Sequence, residues 1–161
     1  MKTDPFVMLG DNLIKMGGKI VSNANISKLL YYTTKDPLSQ PELEEPDILL
    51  DHNIRFVPQI PLKDEFKGSF IILTMDTFDV EDQNSRVKDV AITITTLCPI
   101  DEWTTNSGIR PILILSELDK MFNGLRLSGI GQLHLIGGEL VVPTNWCAGY
   151  SAIFTNKEFN G

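Results

Sequence analysis

The sequence has few of the residues that most often carry chemistry or bind polyanions. Its 161 residues include two histidines and two cysteines, and 14 lysines and arginines stand against 21 acidic residues, a formal net charge of -7. General nucleic-acid binding depends on a cationic surface facing the phosphates, and an anionic membrane leaflet attracts the same kind of surface. The charge balance therefore argues against both kinds of partner.

Thiols and long apolar runs are equally scarce. Cys98 and Cys147 are too few for a disulfide framework and neither lies in a C-x-x-C pattern, so we interpret both as buried small hydrophobic residues in a reducing cytosol. Residues 1–5 include an early acid and a proline, which a signal peptide lacks. No apolar run approaches the roughly 18–20 residues of a membrane span. The sequence predicts a soluble intracellular protein with no membrane partner.

The spacing of apolar residues predicts one α+β domain over residues 1–161. Two N-terminal helices are expected over 6–33, the first with a break near Gly17 and the second capped by Asn25. Residues 35–51 carry six acids and three prolines, which predicts an extended acidic arm. Two interpretations of this arm stay open: a solvated connection, or an arm that reaches a neighbouring subunit.

Residues 54–156 are expected to form the sheet and helix core. Two runs rich in isoleucine, valine, threonine and phenylalanine, at 68–80 and 87–98, predict a β-hairpin whose strands are longer than usual and which projects from the domain. The further predicted elements are a short strand over 54–57, a helix over 111–124, a second hairpin turning at Gly137–Gly138 and a last strand over 149–155. The resulting fold class is α+β: an antiparallel sheet with a long projecting hairpin, and helices packed on one face.

The sequence contains few candidates for a catalytic or metal-binding site. The densest carboxylate group beside a turn consists of Asp76, Asp79, Glu81 and Asp82. It lacks the D-x-D-x-D-G pattern of a calcium loop, so charged turn residues explain it better than a metal site. His52 and His134 stand apart from other ligating residues, and nucleophile-elbow, zinc-protease and phosphate-loop motifs are missing. We therefore predict no catalytic, cofactor-binding or metal-binding residue, and no enzyme activity.

Assembly contacts are the functional residues that the sequence does suggest. Exposed tryptophans mark interface centres, although loop tryptophans also fix loops to a core. Arg86, Arg110 and Arg126 are spread over the domain and are expected to pair with the acidic arm of an adjacent copy. The predicted interface residues are Glu42, Glu44 and Glu45 in the arm, Asp82, Gln83 and Asn84 at the hairpin tip, and Trp103 and Trp146.

Four segments of the sequence, taken in order, form a pattern. They are residues 26–31 running into 34–38, the hairpin of 68–98, residues 98–103 leading through Arg110 into the helix with 117–119, and the final strand from Gly149. These segments resemble the tail-terminator (tail-completion) proteins of tailed bacteriophages and other small neck proteins of these virions. The resemblance implies an α+β protein that forms a homo-oligomeric ring, usually a hexamer, on the last ring of tail-tube protein. It also implies contact with the head connector, DNA passing through the lumen without specific binding, and a place in the virion neck after assembly in the host cytoplasm.

Two other interpretations remain. The chain is alternatively a head-completion or stopper protein elsewhere in the neck, because its opening helices and acidic arm are longer than the simplest terminators need. From another class, a small intracellular enzyme or ligand-binding domain would have a pocket under the sheet. Mixing with tail-tube subunits separates these interpretations, because a terminator caps short tubes and the others do not.

Overall fold

The computed structural model describes residues 4–81 and 86–157, which form an α+β domain with helices on one face of a five-stranded sheet. The α-helices of this part of the chain are α1 (Pro5–Val21), α2 (Ala24–Tyr31) and α3 (Arg110–Phe122). Its strands are β1 (Ile54–Arg55), β2 (Phe70–Glu81), β3 (Arg86–Pro99), β4 (Thr104–Thr105), β5 (Gly108–Ile109), β6 (Arg126–Leu127), β7 (Gly131–Gln132), β8 (His134–Val141) and β9 (Cys147–Thr155). None of these helices combines the length and the apolar character needed to cross a membrane.

The two N-terminal helices differ in detail from the sequence prediction. The Asp4 carboxylate caps α1 by accepting from the backbone N–H groups of Phe6 and Val7. The predicted break near Gly17 is wrong, since α1 runs without interruption to Val21. A β-carbon at Gly17 would lie 2.6 Å from the Phe56 ring, so close packing explains this glycine inside a helix.

The cap of α2 is Asn23, and the prediction of Asn25 is wrong. The Asn23 side-chain oxygen accepts from the Ile26 N–H at 2.9 Å, which satisfies one of the free donors of the first turn. The side-chain amide of Asn25 instead donates to Glu117 of α3 at 3.3 Å. The Asn23 side-chain amide also donates to Glu117, at 3.2 Å, so both asparagines join α2 to α3 and Asn23 caps the helix in addition.

The five-stranded sheet has the order β1-β2-β3-β9-β8. The predicted long hairpin is confirmed as β2 and β3, and the predicted last strand as β9. The four long strands are antiparallel, but Ile54 of β1 pairs in parallel with Ile71 of β2. The sheet is thus mixed and not purely antiparallel as predicted, because the chain between β1 and β2 crosses back before β2 begins in the same direction.

The second predicted hairpin is wrong, because Gly137–Gly138 is not a turn. Strand β8 runs straight through this pair beside β9, with a bulge between Leu135 and Gly137. A β-carbon on Gly138 would lie 2.0 Å from the Ser151 carbonyl oxygen, so the strands approach too closely there for any side chain. The turn lies instead at residues 142–146, where the Thr144 hydroxyl accepts from the backbone N–H groups of Trp146 and Cys147.

The main core lies between the helices and one face of the sheet. Its largest fully buried side chains include Met16, Ile20, Leu29, Phe122 and Phe154. The predicted helix over 111–124 is confirmed as α3, which buries Ile114, Leu118 and Phe122 in this core. Helix packing on this face agrees with the predicted fold class.

The other face of the sheet has two parts. At the end where β2 begins, a smaller apolar cluster contains Phe66, Phe70, Ile72, Leu97 and Cys147. Directly opposite residues share a face, so the strand pairings continue this face with small hydroxyl side chains. We call this second part the hydroxyl face; its residues are Thr74, Thr93, Thr95, Ser151 and Thr155.

Candidate assembly surfaces

Arg110, the first residue of α3, is a buried hub and not a surface charge. Its side chain is 1% exposed, and its guanidinium donates to four backbone carbonyl oxygens. These belong to Leu29, Tyr32, Thr34 and Glu102, at distances of 2.6 to 2.9 Å. Burial lowers the pKa of Arg110, and the nearby Cys98 and Glu102 side chains oppose that shift.

The predicted pairing of Arg110 with the arm of another copy is therefore wrong. All the partners of its guanidinium belong to its own chain, and a buried side chain offers nothing to a neighbouring copy. Arg126 is exposed on β6, where an outside partner can reach it. The side chain of Arg86 lies outside the described residues.

The acidic arm is fixed to the body of its own domain along much of its length. The Tyr32 hydroxyl donates to the Pro41 carbonyl oxygen at 2.8 Å, and the Lys28 ammonium donates to the Leu38 carbonyl oxygen at 3.3 Å. Further along, Leu49 is buried in the main core within a short 3-10 helix. The carboxylates predicted at an interface, Glu42, Glu44 and Glu45, are exposed. They project from an anchored loop, so their contact with a neighbour stays a prediction.

The two tryptophans lie at one end of the sheet but on opposite faces. The Trp103 indole N–H donates to the carbonyl oxygens of Cys98 and Ala148, both at 3.1 Å, and its ring packs against the main core. Trp146 packs against the smaller apolar cluster, with its ring centroid 6.3 Å from that of Phe70. Both side chains are half-buried and fix loops to the sheet. A subunit boundary at their exposed parts stays a prediction.

The far end of the hairpin runs past its neighbour in the sheet. Strand β3 pairs with β9 only as far as Ala91, whereas the hairpin continues to Glu81 and Arg86. On β2, Phe78 is 48% exposed and Val80 is 46% exposed, although Phe78 makes an edge-to-face contact with Phe6 of α1. The predicted tip contacts Asp82, Gln83 and Asn84 lie outside the described residues.

Both edges of the sheet have unpaired backbone groups. Strand β1 covers only Ile71 and Ile72 of β2, so residues 73–81 have no backbone partner on their outer side within the described ranges. On β8, the Leu135 N–H donates to the side chain of Asn123 at 3.1 Å. After it, residues 136–141 likewise have no outer backbone partner in the described part of the chain.

The sequence did not reveal the β8 edge. Its one local signal was the glycine pair, which also suits a tight turn and was assigned to one. The predicted long hairpin already contained the edge strand β2. Which residues of β2 lack a backbone partner on the outer side depends on where β1 pairs with it. That pairing joins residues far apart in the sequence and has no local pattern.

A cleft of about 480 Å³ lies beside the smaller apolar cluster. Lys63 and Lys67 line it together with Asp101, Glu102 and Trp146. One carboxyl oxygen of Glu102 is buried without a hydrogen-bond partner among the described residues. Burial raises the pKa of Glu102, and the positive charge of Arg110 opposes that shift. The cleft therefore has ammonium groups and a partly desolvated carboxyl group.

One of the acids considered for a metal site has other partners. The Asp76 carboxylate accepts from the hydroxyls of Thr74 and Thr93, which places it beside the hydroxyl face. Over residues 4–81 and 86–157, no three histidine, cysteine, aspartate or glutamate side chains lie close enough together to hold a metal ion. Asp82, the fourth acid of that group, is not among the described residues.

Comparison with known proteins gives one family. The family model YomW matches residues 23–156, which is more than half of the chain. The match runs from the cap of α2 to the residue after β9, so it contains the whole sheet, both unpaired edges and Arg110. No curated protein matches the chain.

Proposed function

The chain belongs to YomW, a protein family of SPBc2-like Bacillus phages, and from this premise we propose that it is a structural protein of the virion neck, the tail terminator. In this role the chain forms a homo-oligomeric ring, a hexamer by the resemblance, that caps the tail-tube protein and meets the head connector. It acts by contact and not by catalysis. It is assembled into the virion in the host cytoplasm, and DNA passes through the lumen without specific binding.

The far end of the hairpin is the observation that carries this proposal. It continues beyond the last pairing of β3 with β9 and leaves Phe78 and Val80 about half exposed. Exposed strand edges and apolar side chains favour association with other chains, and a protein that acts alone usually blunts them. A hairpin of this kind suits a protein whose work is to contact the tail tube or an adjacent ring.

The charge of the chain supports a ring that DNA can pass. A cationic wall would retain phosphates through counterion release, whereas each copy here has a formal net charge of -7. On the hydroxyl face Thr74 and Thr95 are half-buried, Thr93, Ser151 and Thr155 are buried, and the exposed Asp76 carboxylate lies beside them. We place this face toward the lumen.

Electron microscopy tests the proposal. Purified chain is mixed with polymerising tail-tube subunits, and tubes are imaged alone, with the wild type, and with a variant whose residues 82–84 are replaced by glycine and serine. We expect a ring of the wild-type chain at one tube end, shorter tubes, and weaker capping by the variant. Uncapped tubes of unchanged length beside monomeric wild-type chain would overturn the proposal.

A stopper or head-completion protein is the alternative within the neck. It would form a ring with the same surfaces but lie on the connector side. Images of complete particles distinguish the two, because a terminator ring touches the tail tube directly. A ring separated from the tube by another protein layer would favour the stopper.

The cleft beside the smaller apolar cluster favours a candidate of another class, a ligand-binding domain. Its volume of about 480 Å³ is in the range of small-molecule sites, and Glu102 offers a buried carboxyl oxygen without a partner among the described residues. Thermal unfolding with a panel of small amines and amino acids tests this candidate. A ligand that raises the melting temperature of the wild type but not of Glu102→Gln would support it.

A further inference from the structure

We propose that copies of this chain join head to tail, with β8 of one copy adding to the free edge of β2 in the next copy. The pairing extends the antiparallel sheet from one subunit into its neighbour. This pairing adds to the proposed function by identifying the contact between subunits. It rests on the proposed function in one respect, namely that the chain assembles with itself.

Unsatisfied backbone groups are the first argument. Residues 73–81 of β2 and 136–141 of β8 each have a row of outer N–H and C=O groups without backbone partners within the described part of the chain. Such rows are templates for another strand. The two free stretches are comparable in length, so one can cover the other without displacing β1 or the bond from Leu135 to Asn123.

Strand direction is the second argument. Each neighbouring pair among β2, β3, β9 and β8 is antiparallel, so β8 runs opposite to β2. In a ring whose axis runs roughly along the strands, rotation from one copy to the next keeps the strand direction, so β2 of the next copy lies antiparallel to β8. The joint therefore has the same geometry as the three long pairings within the subunit.

The side chains along the two edges also match. Phe78 pairs with Val90 and Val80 with Val87, and both valines belong to the main core, so these β2 side chains point to the helix-bearing face. Leu140 lies on the same face because it pairs with Tyr150. Phe78, Val80 and Leu140 are between 46% and 57% exposed in the single chain. In the antiparallel alignment that covers both free stretches, Leu140 lies near Met75 on this face, and Ile136, which is 49% exposed, lies near Val80 at the other end. The proposed joint therefore brings apolar side chains of the two edges together.

Charge favours this joint over one between two β2 edges. The free stretch of β2 carries Asp76, Asp79 and Glu81, whereas that of β8 carries only Glu139. Like charges on directly opposed strands are destabilising. A joint between two copies of β2 would place three carboxylates opposite three others. A joint between β2 and β8 places three carboxylates opposite one, so the repulsion between the strands is smaller.

Cross-linking at introduced thiols tests which edges meet. The native Cys98 and Cys147 are fully buried, so a short bis-maleimide reacts with an added surface cysteine selectively. The variants are Val80→Cys, Ile136→Cys, the double variant, and Ile14→Cys as the control on an exposed apolar residue of α1, outside the sheet. We expect a covalent dimer from the mixture of Val80→Cys and Ile136→Cys, and a ladder of higher oligomers from the double variant.

Two results would overturn the pairing. One is efficient cross-linking of Val80→Cys with itself and none with Ile136→Cys. The other is a double variant that gives no ladder in preparations that microscopy shows to be rings. If rings lie at the tube end without this cross-link, the pairing fails and the proposed function stands. If the ladder forms in solution but particles have no ring of this chain, the pairing stands and the proposed function fails.

Complementation gives an independent measurement that does not depend on thiol chemistry. Val80→Lys blocks the β2 edge and Leu140→Lys blocks the β8 edge, since a lysine on an edge opposes strand addition. Under conditions in which the wild type forms rings, we expect each variant alone to remain monomeric and their mixture to stop at dimers. The control Ile14→Lys, on an exposed position of α1 outside the sheet, should assemble as the wild type does. Unimpaired rings from either edge variant, or folded variants that fail to form the mixed dimer, would contradict the pairing.

Discussion

The Arg110 guanidinium donates a 2.6 Å hydrogen bond to the carbonyl oxygen of Leu29, a residue 81 positions earlier in the sequence. The last carbonyl groups of a helix have no partners within it, and a positive charge there also interacts favourably with the helix dipole. The first residue of α3 thus satisfies the end of α2. Through Thr34 and Glu102 it also fixes the start of the acidic loop and the segment that leads into α3.

Removal of this hub should destabilise the whole domain. Arg110→Ala leaves several buried carbonyl groups without donors, and we expect the free energy of unfolding to fall by about 3 kcal/mol or more. Arg110→Lys keeps the charge but not the planar fork, so it should recover only part of the loss. Urea unfolding followed by circular dichroism measures both. The exposed Arg126→Ala is the control, and an equal loss in this variant would contradict the role of Arg110.

Two glycine substitutions should have opposite effects on stability, because Gly138 lies against the neighbouring strand and Gly10 does not contact another element. Gly138→Ala places a methyl group against the Ser151 carbonyl oxygen and should cost about 1–3 kcal/mol of stability. Gly10→Ala, in open space on α1, should raise stability by about 1 kcal/mol because alanine favours a helix. Thermal unfolding of the two variants compares them directly. A tolerated Gly138→Ala would mean that the strands are farther apart.

Cys98 predicts a loss of stability at alkaline pH. Burial raises the pKa of its thiol to about 12, above the ordinary value of 9.0. Between these values the unfolded chain releases the proton and the folded chain keeps it, so the free energy of unfolding falls as pH rises from about 9 to 12. Chemical unfolding over this range should give a shallower decline for Cys98→Ala than for the wild type. Identical slopes would show that Cys98 does not contribute.

The acidic loop predicts a change in assembly without a change in stability. Glu44→Lys together with Glu45→Lys reverses two exposed charges on an anchored loop, so the free energy of unfolding should change by no more than about 0.5 kcal/mol. If these carboxylates contact a neighbouring copy, the oligomer size in analytical ultracentrifugation should change. The control pair is Asp64→Lys with Glu65→Lys, which are exposed acids elsewhere. Unchanged oligomers in the loop variant would remove the loop from the interface.

Local sequence patterns correctly predicted the elements whose structure depends mainly on residues close together in the sequence. The hairpin of β2 and β3 has long β-branched runs, and α3 has a clean apolar stripe with a proline at its start. Both signals depend on neighbours in the sequence, so they can be recognised without the fold. The fold class followed from the order of these elements.

Features that depend on distant residues were missed or misassigned. The partners of Arg110 come from the end of α2, the following loop and the segment before α3, so no local pattern distinguishes it from a surface arginine. Gly137 and Gly138 suit a tight turn locally, and only the pairing of β8 with β9 shows that they lie within a strand, where Ser151 leaves no room for a side chain at Gly138. The unpaired edges are likewise properties of the complete sheet.

The two-residue strand β1 has a mechanical consequence for any strand that adds to β2. Because β1 occupies the positions beside Ile71 and Ile72, an added strand can slide along β2 no farther than Leu73. A shift by one residue would also turn Leu140 away from the face that bears Phe78 and Val80. This short strand therefore serves as an end stop, and together with the alternation of side chains it limits the neighbour to few alignments.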